Sequence, residues 1–273
     1  MLANAFSFVG WVLSLFYILW GFNYHNPSLE DRLDLTLEAI PIEKLSLKLQ
    51  QTEDHLLKIR DDMSPDSLTA IDPSISKNEL ESQIRFLLKN LLAKWDIANY
   101  GEVRVRKLKP GGMLLSFSTQ GVYIPFVSEG HIDGGLHPIS WPSTMCHEMA
   151  HGYGFTGEGT CEFISFMACS MAEDPFIRYS AWLSYYEYLL RDLRRNDPKQ
   201  FETYRGRIPK AILVDFSAIR EYSDRYPRLI PKIQSQIHNQ YLKAHGIKDG
   251  KLNYNRIVML VDAWERKVNN QSQ

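Results

Sequence analysis

The chain changes its hydrophobic rhythm several times. From Leu2 to Phe22 there is no rhythm at all: the segment carries no charged side chain and is rich in Phe, Trp, Leu, Val and Ile. About 20 such residues, at a helical rise of about 1.5 Å each, match the thickness of a bilayer's hydrocarbon layer. The segment is therefore expected to be a transmembrane helix. It has neither the basic leader nor the small-residue cleavage site of a signal peptide, so an uncleaved anchor is expected. Trp20, Tyr17 and Tyr24 suit a membrane–water interface, whereas Trp11 falls mid-span.

Beyond the anchor, Asn26-Pro27 with Glu30 and Asp31 reads as a helix start. Leu33, Leu35 and Leu37 open an apolar pattern that Ile42, Leu45, Leu49, Leu56 and Ile59 continue, interrupted at Pro41. Asp61 to Ser76, rich in Asp, Ser and Pro, reads as a linker. Leu80, Ile84, Leu87, Leu88, Leu91, Leu92 and Trp95 then share one face of an amphipathic helix. Alternation replaces that period at Glu102 to Lys107, followed by a Pro110-Gly111-Gly112 turn and runs at Met113 to Ser118 and Val122 to Val127. The last run is either a cleft-bordering edge, on which an extended substrate could pair, or a strand of the sheet core. From Pro142 onward the pattern is helical. One helix is expected from Ser140 or Ser143 to Gly152-Tyr153-Gly154. Others follow over Cys161–Ala172, Phe176–Arg195, Tyr204–Tyr222, Leu229–His245 and Tyr254–Val268. The expected fold is mainly α with a small antiparallel β-sheet, preceded by one N-terminal transmembrane helix. Its expected parts are an anchor (1–25), a helical juxtamembrane segment and linker (26–76) and a catalytic domain (77–273).

Charge removes one class of partner. The net charge is -1, from 31 basic and 32 acidic residues, and no basic block interleaves with aromatics. Nucleic acid is not an expected partner. Cys146, Cys161 and Cys169 form no C-x-x-C pair, so a cysteine-ligated zinc is not expected and small buried packing roles are.

The chemistry concentrates at His147-Glu148-Met149-Ala150-His151. This is the H-E-x-x-H spacing of zinc hydrolases. On a helix the two histidines share a face and can reach one metal, with Glu148 beside the open position where a general base is needed. A catalytic zinc also wants a third protein ligand. Downstream, Glu158 and Glu162 lie four apart, resembling the E-x-x-x-D arrangement of gluzincin metallopeptidases. That resemblance implies Glu158 as the third ligand and Glu162 as the acid that hydrogen-bonds a ligand histidine, with the opposite assignment left open. Gly152, Gly154 and Gly157 supply the freedom for a tight reversal between them. Gly157 itself stands where metzincins place a third histidine, which speaks against that clan. Two incidentally placed core histidines are the plain alternative. The added base, carboxylates and glycine turn weigh against it.

The chain as a whole resembles the bacterial membrane proteins grouped as domain of unknown function 3810. The likeness is carried by Leu19-Trp20-Gly21-Phe22-Asn23-Tyr24, Tyr123-Ile124-Pro125-Phe126, the histidine motif, Asp174-Pro175-Phe176, Tyr179-Ser180, Asn239-Gln240-Tyr241-Leu242-Lys243 and Asn253-Tyr254. Where that family usually has Ala-Asn, this chain has Cys161-Glu162. The resemblance implies a zincin-like catalytic domain on a membrane segment. The expected function is a membrane-anchored zinc metallopeptidase. Zn2+ would be held by His147, His151 and Glu158, and Glu148 would act as general base on a zinc-activated water. His238 and Tyr241 are candidates to stabilise the oxyanion, with Tyr153 as a nearby third. Expected partners are a peptide or protein substrate and membrane lipid around the anchor. The expected location is a bacterial inner membrane, with the catalytic domain outside the cytoplasm. Two other functions fit the same sequence: hydrolysis of non-peptide envelope amides or lipids, and a tethered zinc-binding scaffold without catalysis.

Overall fold

The computed structural model describes residues 2–271 except 65, 67, 73–75, 228 and 230–255. Helix α1 (Leu2–Leu19) is 18 residues long, about 27 Å at the standard rise. The chain leaves it at Trp20 and makes a 3₁₀ turn, Gly21–His25. Among the described residues no helix is long and apolar enough to cross a membrane. The single span expected over Leu2–Phe22 is therefore not found. The apolar run continues past the helix because Trp20 and Gly21 turn into the protein and are buried there.

The helix expected from Asn26 ends after one turn at Arg32, where Asp34 takes a left-handed φ of 47°, and Pro41 stands just before the next helix. Ser28 caps a short α2 (Leu29–Arg32) by accepting from Asp31 N at 3.2 Å. An extended stretch then leads to α3 (Ile42–Met63), which buries Leu45, Leu49, Leu56 and Ile59. Helix α3 lies along α7 (Pro175–Asn196), and α4 (Lys77–Lys94) packs on α5 (Trp141–Gly152) and α6 (Glu158–Cys169). One continuous apolar core runs from Leu29 to Ala263, so residues on both sides of position 76 share it. The segment read as a linker is pinned by buried charge. Arg60 Nε donates to Asp215 at 2.9 Å, and its other nitrogens reach the carbonyls of Asp66 and Thr69. Asp215 also accepts from Ile71 N and the Tyr179 hydroxyl.

The helix expected over Tyr204–Tyr222 is two, α8 (Pro198–Arg205) and α9 (Lys210–Asp224), because Pro209 cannot sit inside one. Helix α10 (Arg256–Gln271) closes against α6 and α7. The expected helix over Leu229–His245 lies outside the described residues, apart from Leu229.

The sheet has strands β1 (Arg104–Lys107), β2 (Gly121–Ile124) and β3 (Glu129–Ile132), in the order β1-β3-β2. It is mixed rather than antiparallel: β1 runs parallel to β3, and β2 antiparallel to it. The run Met113–Ser118, expected as a strand, instead contains a 3₁₀ turn. Its amides are taken by one buried carboxylate. Asp133 accepts from the backbone N–H of Gly112, Leu114, Leu115 and Gly135 at 2.6 to 3.1 Å, which leaves those donors unavailable to a ladder.

Candidate metal centre

Helix α5 starts at Trp141 with Pro142 in its first turn, where a proline costs no hydrogen bond. It is buried along nearly its whole length, under β2 and β3 on one side and α6 on another. It stops at Gly152, and Gly154, at φ 93°, turns the chain back in a conformation that disfavours other residues. Gly157 then caps α6, whose first residue is Glu158. This short reversal carries Glu158 from the end of α5 back to the face holding His147 and His151.

His151 Nδ1 lies 2.8 Å from the carbonyl oxygen of Phe155. A carbonyl only accepts, so Nδ1 carries a proton and donates it there, and Nε2 is the nitrogen that faces inward. His151 Nε2 is 3.1 Å from His147 Nε2, which is 3.2 Å from Glu158 Oε2. Glu158 Oε1 lies 3.8 Å from His151 Nε2. These three residues form a cluster that could hold a metal ion, with one donor atom from each within 4.8 Å of the others. Tetrahedral zinc with bonds of about 2.0 to 2.2 Å separates its ligand atoms by roughly 3.3 to 3.5 Å. The observed separations bracket that value, and two imidazoles with a carboxylate are a donor set that suits zinc.

Glu162, one helical turn beyond Glu158, lies at the opposite edge of the His147 ring, with Oε1 3.3 Å from Nδ1. Tyr188 on α7 hydrogen-bonds the Glu162 carboxylate from behind. Burial and the Glu162 charge keep the Tyr188 hydroxyl protonated far above its ordinary range. Burial alone would neutralise Glu162, but the His147 charge and the hydrogen bonds from His147 and Tyr188 outweigh it and lower its pKa. Glu158, whose side chain is largely exposed, is lowered as well, by its hydrogen bond to His147 and the nearness of the His151 ring. For His147 burial acts downward, but Glu162 and Glu158 lift it well above the usual imidazole range.

Glu148 points to the sheet side of α5. A Cβ on Gly121 would fall 2.5 Å from Glu148 Oε1, and one on Gly130 would fall 2.8 Å from Glu148 Cβ. Two glycines on paired strands therefore make the room this side chain occupies. Glu148 is 4% exposed, and Oε2 has no hydrogen-bond partner among the described residues. Burial pushes its pKa up to about 7, against the pull of His147 and His151.

The structure thus brings together His147, Glu148, His151, Glu158 and Glu162. His238 and Tyr241 lie outside the described residues. Tyr153 is directed away from the cluster, its hydroxyl reaching the carbonyl of Gly101 at 3.5 Å. All three cysteines are buried and free, and Cys161 Sγ lies 3.4 Å from His151 Nδ1. Two residues escaped the sequence reading. Tyr188 carries no local spacing that would announce its contact with Glu162. Trp20 reads as an interfacial aromatic, yet its ring lies 5.2 Å from that of Tyr123 and 6.0 Å from that of His151.

The family model described as "Protein of unknown function (DUF3810)" matches residues 1–261, and the chain belongs to that family. No curated protein and no solved structure matches the chain.

Proposed function

We propose that this protein is a zinc-dependent peptidase held at a membrane by α1. The observation that carries the reading is Glu148, a buried carboxylate with an unpartnered oxygen and a pKa near neutrality, one residue from a cluster able to hold a metal. His147, His151 and Glu158 would hold zinc, and Glu162 with Tyr188 would fix the His147 ring. Zinc, when bound, supplies a Lewis acid and a water of lowered pKa. Glu148 would take the proton of the attacking water and return it to the leaving amine. A scaffold with a structural metal would have no use for such a base. Edge strand β2 starts over Glu148 at Gly121, so an extended peptide pairing along it would lie across the catalytic carboxylate. Membrane attachment is supported by the exposed apolar side chains of α1, from Phe6 to Leu19.

The test joins metal content to turnover. Purified full-length chain is expected to carry one zinc, lost in His147→Ala and His151→Ala, with Glu158→Ala losing more than Glu162→Ala. Glu148→Gln is expected to keep fold and zinc and to lose hydrolysis across a peptide library. Full turnover by that variant would remove the protein from this class. Hydrolysis of envelope amides or lipids but not peptides would reassign its substrate.

A further inference from the structure

At 100° per residue, Phe6, Phe8, Val9 and Trp11 of α1 spread over more than half of the helix circumference, yet all are exposed. A groove on a protein partner covers one face of a helix, whereas acyl chains cover every face. The β2–β3 turn stands beside this helix. The Phe126 ring is 6.3 Å from that of Phe16, and Phe126 and Val127 at the tip are 45% and 57% exposed. Phe16 lies three residues inside α1, about 4.5 Å above its end at Leu19. A layer deep enough to bury that last turn therefore reaches the tip as well. The turn is internally fixed, with Val127 N donating to the Ile124 carbonyl and Ser128 N to that of Pro125. Directly behind the tip the character changes. Exposed Arg104 is in register with Glu129, the first residue after the turn, and Arg106 pairs with Glu129 by two hydrogen bonds. Apolar side chains at a tip with arginine behind them match acyl chains beneath phosphate headgroups.

We propose that the β2–β3 turn is a second lipid contact, in which Phe126 and Val127 enter the apolar layer beside α1 and Arg104 meets the headgroup phosphates. The lipid contact rests on the reading of α1 as a membrane-attached helix and not on the peptidase reading; only its consequence for the substrate rests on both. Two contacts at separate points fix orientation as well as attachment. Strand β2 then runs from Glu148 to the lipid surface, so the polypeptide it presents to the metal cluster is a segment close to the same membrane.

The experiment uses the full chain in vesicles of phosphatidylcholine with one part in three phosphatidylglycerol. Nitroxide labels are placed one at a time by Val127→Cys on the tip, Ser14→Cys on α1 and Lys199→Cys on exposed α8; the native cysteines are buried and do not compete. Collision with oxygen reports the apolar layer, and collision with a water-soluble nickel chelate reports solvent. The Val127 label is expected to resemble the Ser14 label, with oxygen access raised and nickel access several-fold below that of the Lys199 label. A solvent-like Val127 label beside a lipid-like Ser14 label would overturn the second contact while leaving attachment through α1 intact. Solvent-like labels at both positions would overturn the membrane reading and this proposal together.

Discussion

A buried carboxylate with an oxygen that has no hydrogen-bond partner among the described residues costs stability, so packing alone does not account for Glu148. Its room is made by Gly121 and Gly130, and a single methyl group tests whether its position matters. In Gly121→Ala the new Cβ would meet Glu148 Oε1 at 2.5 Å and Cγ at 2.8 Å, so the carboxylate must shift. Displacement of a catalytic group by an ångström costs on the order of 10²-fold in rate. Gly121→Ala is therefore expected to lose about two orders of magnitude in turnover at unchanged zinc content, read by elemental analysis beside a peptidase assay. At this scale the sequence was informative where chemistry demands fixed spacing. His147, Glu148 and His151 are one helical turn, and Glu158 follows within reach. Whether Glu158 or Glu162 faces both histidines depends on the angle at which α6 leaves Gly157, and no spacing encodes that angle.

Among the elements, the helices were legible and the sheet only partly so. Helix α5 was expected to within a residue or two because its first-turn proline and glycine stop are local signals. The loop ahead of β2 was not, because a residue about twenty positions later decides it: Asp133 collects the amides of Gly112, Leu114 and Leu115. Helices α8 and α9 were merged because the apolar period runs across Pro209. The Asp133 contact makes its own prediction. Burial would raise the pKa of this acid, but four backbone N–H donors lower it below its usual value. A folded pKa below the unfolded one, about 3.9, gives stability that is present above that value and lost as pH falls through the folded pKa. Asp133→Asn turns an amide donor towards donors, and is expected to cost on the order of 3 kcal/mol at neutral pH. It should also flatten the decline in stability below about pH 4, measured by urea melts across an acid series.

The whole molecule is a helical body whose exposed, apolar α1 leaves it beside the candidate metal cluster. Sequence placed the apolar run correctly but not its end. Trp20 and Gly21, read as part of the span, are the first buried residues of the body, because the rings that Trp20 meets, Tyr123 and His151, lie far along the chain. If α1 sits in lipid, Val12→Arg with Leu15→Arg should disfavour that placement by roughly 2.5 to 3.5 kcal/mol per arginine. The double variant is expected to move from the membrane fraction towards the soluble one, with zinc content unchanged. Wild-type protein recovered without detergent in the soluble fraction would refute the attachment.

The place of Trp20 has an optical consequence. An indole 6.0 Å from an imidazole of the candidate metal cluster is a fluorophore whose emission would answer to an ion bound there. Cobalt(II) absorbs in the visible and quenches nearby donors, so titrating the full-length chain with cobalt should dim its emission as the cluster fills. Trp20→Phe should remove most of that response while leaving the remaining tryptophans bright. Equal quenching in the two proteins would mean that the ion binds elsewhere. Quenching that depends on Trp20 would give the chain its own gauge of metal occupancy, readable before any substrate is in hand.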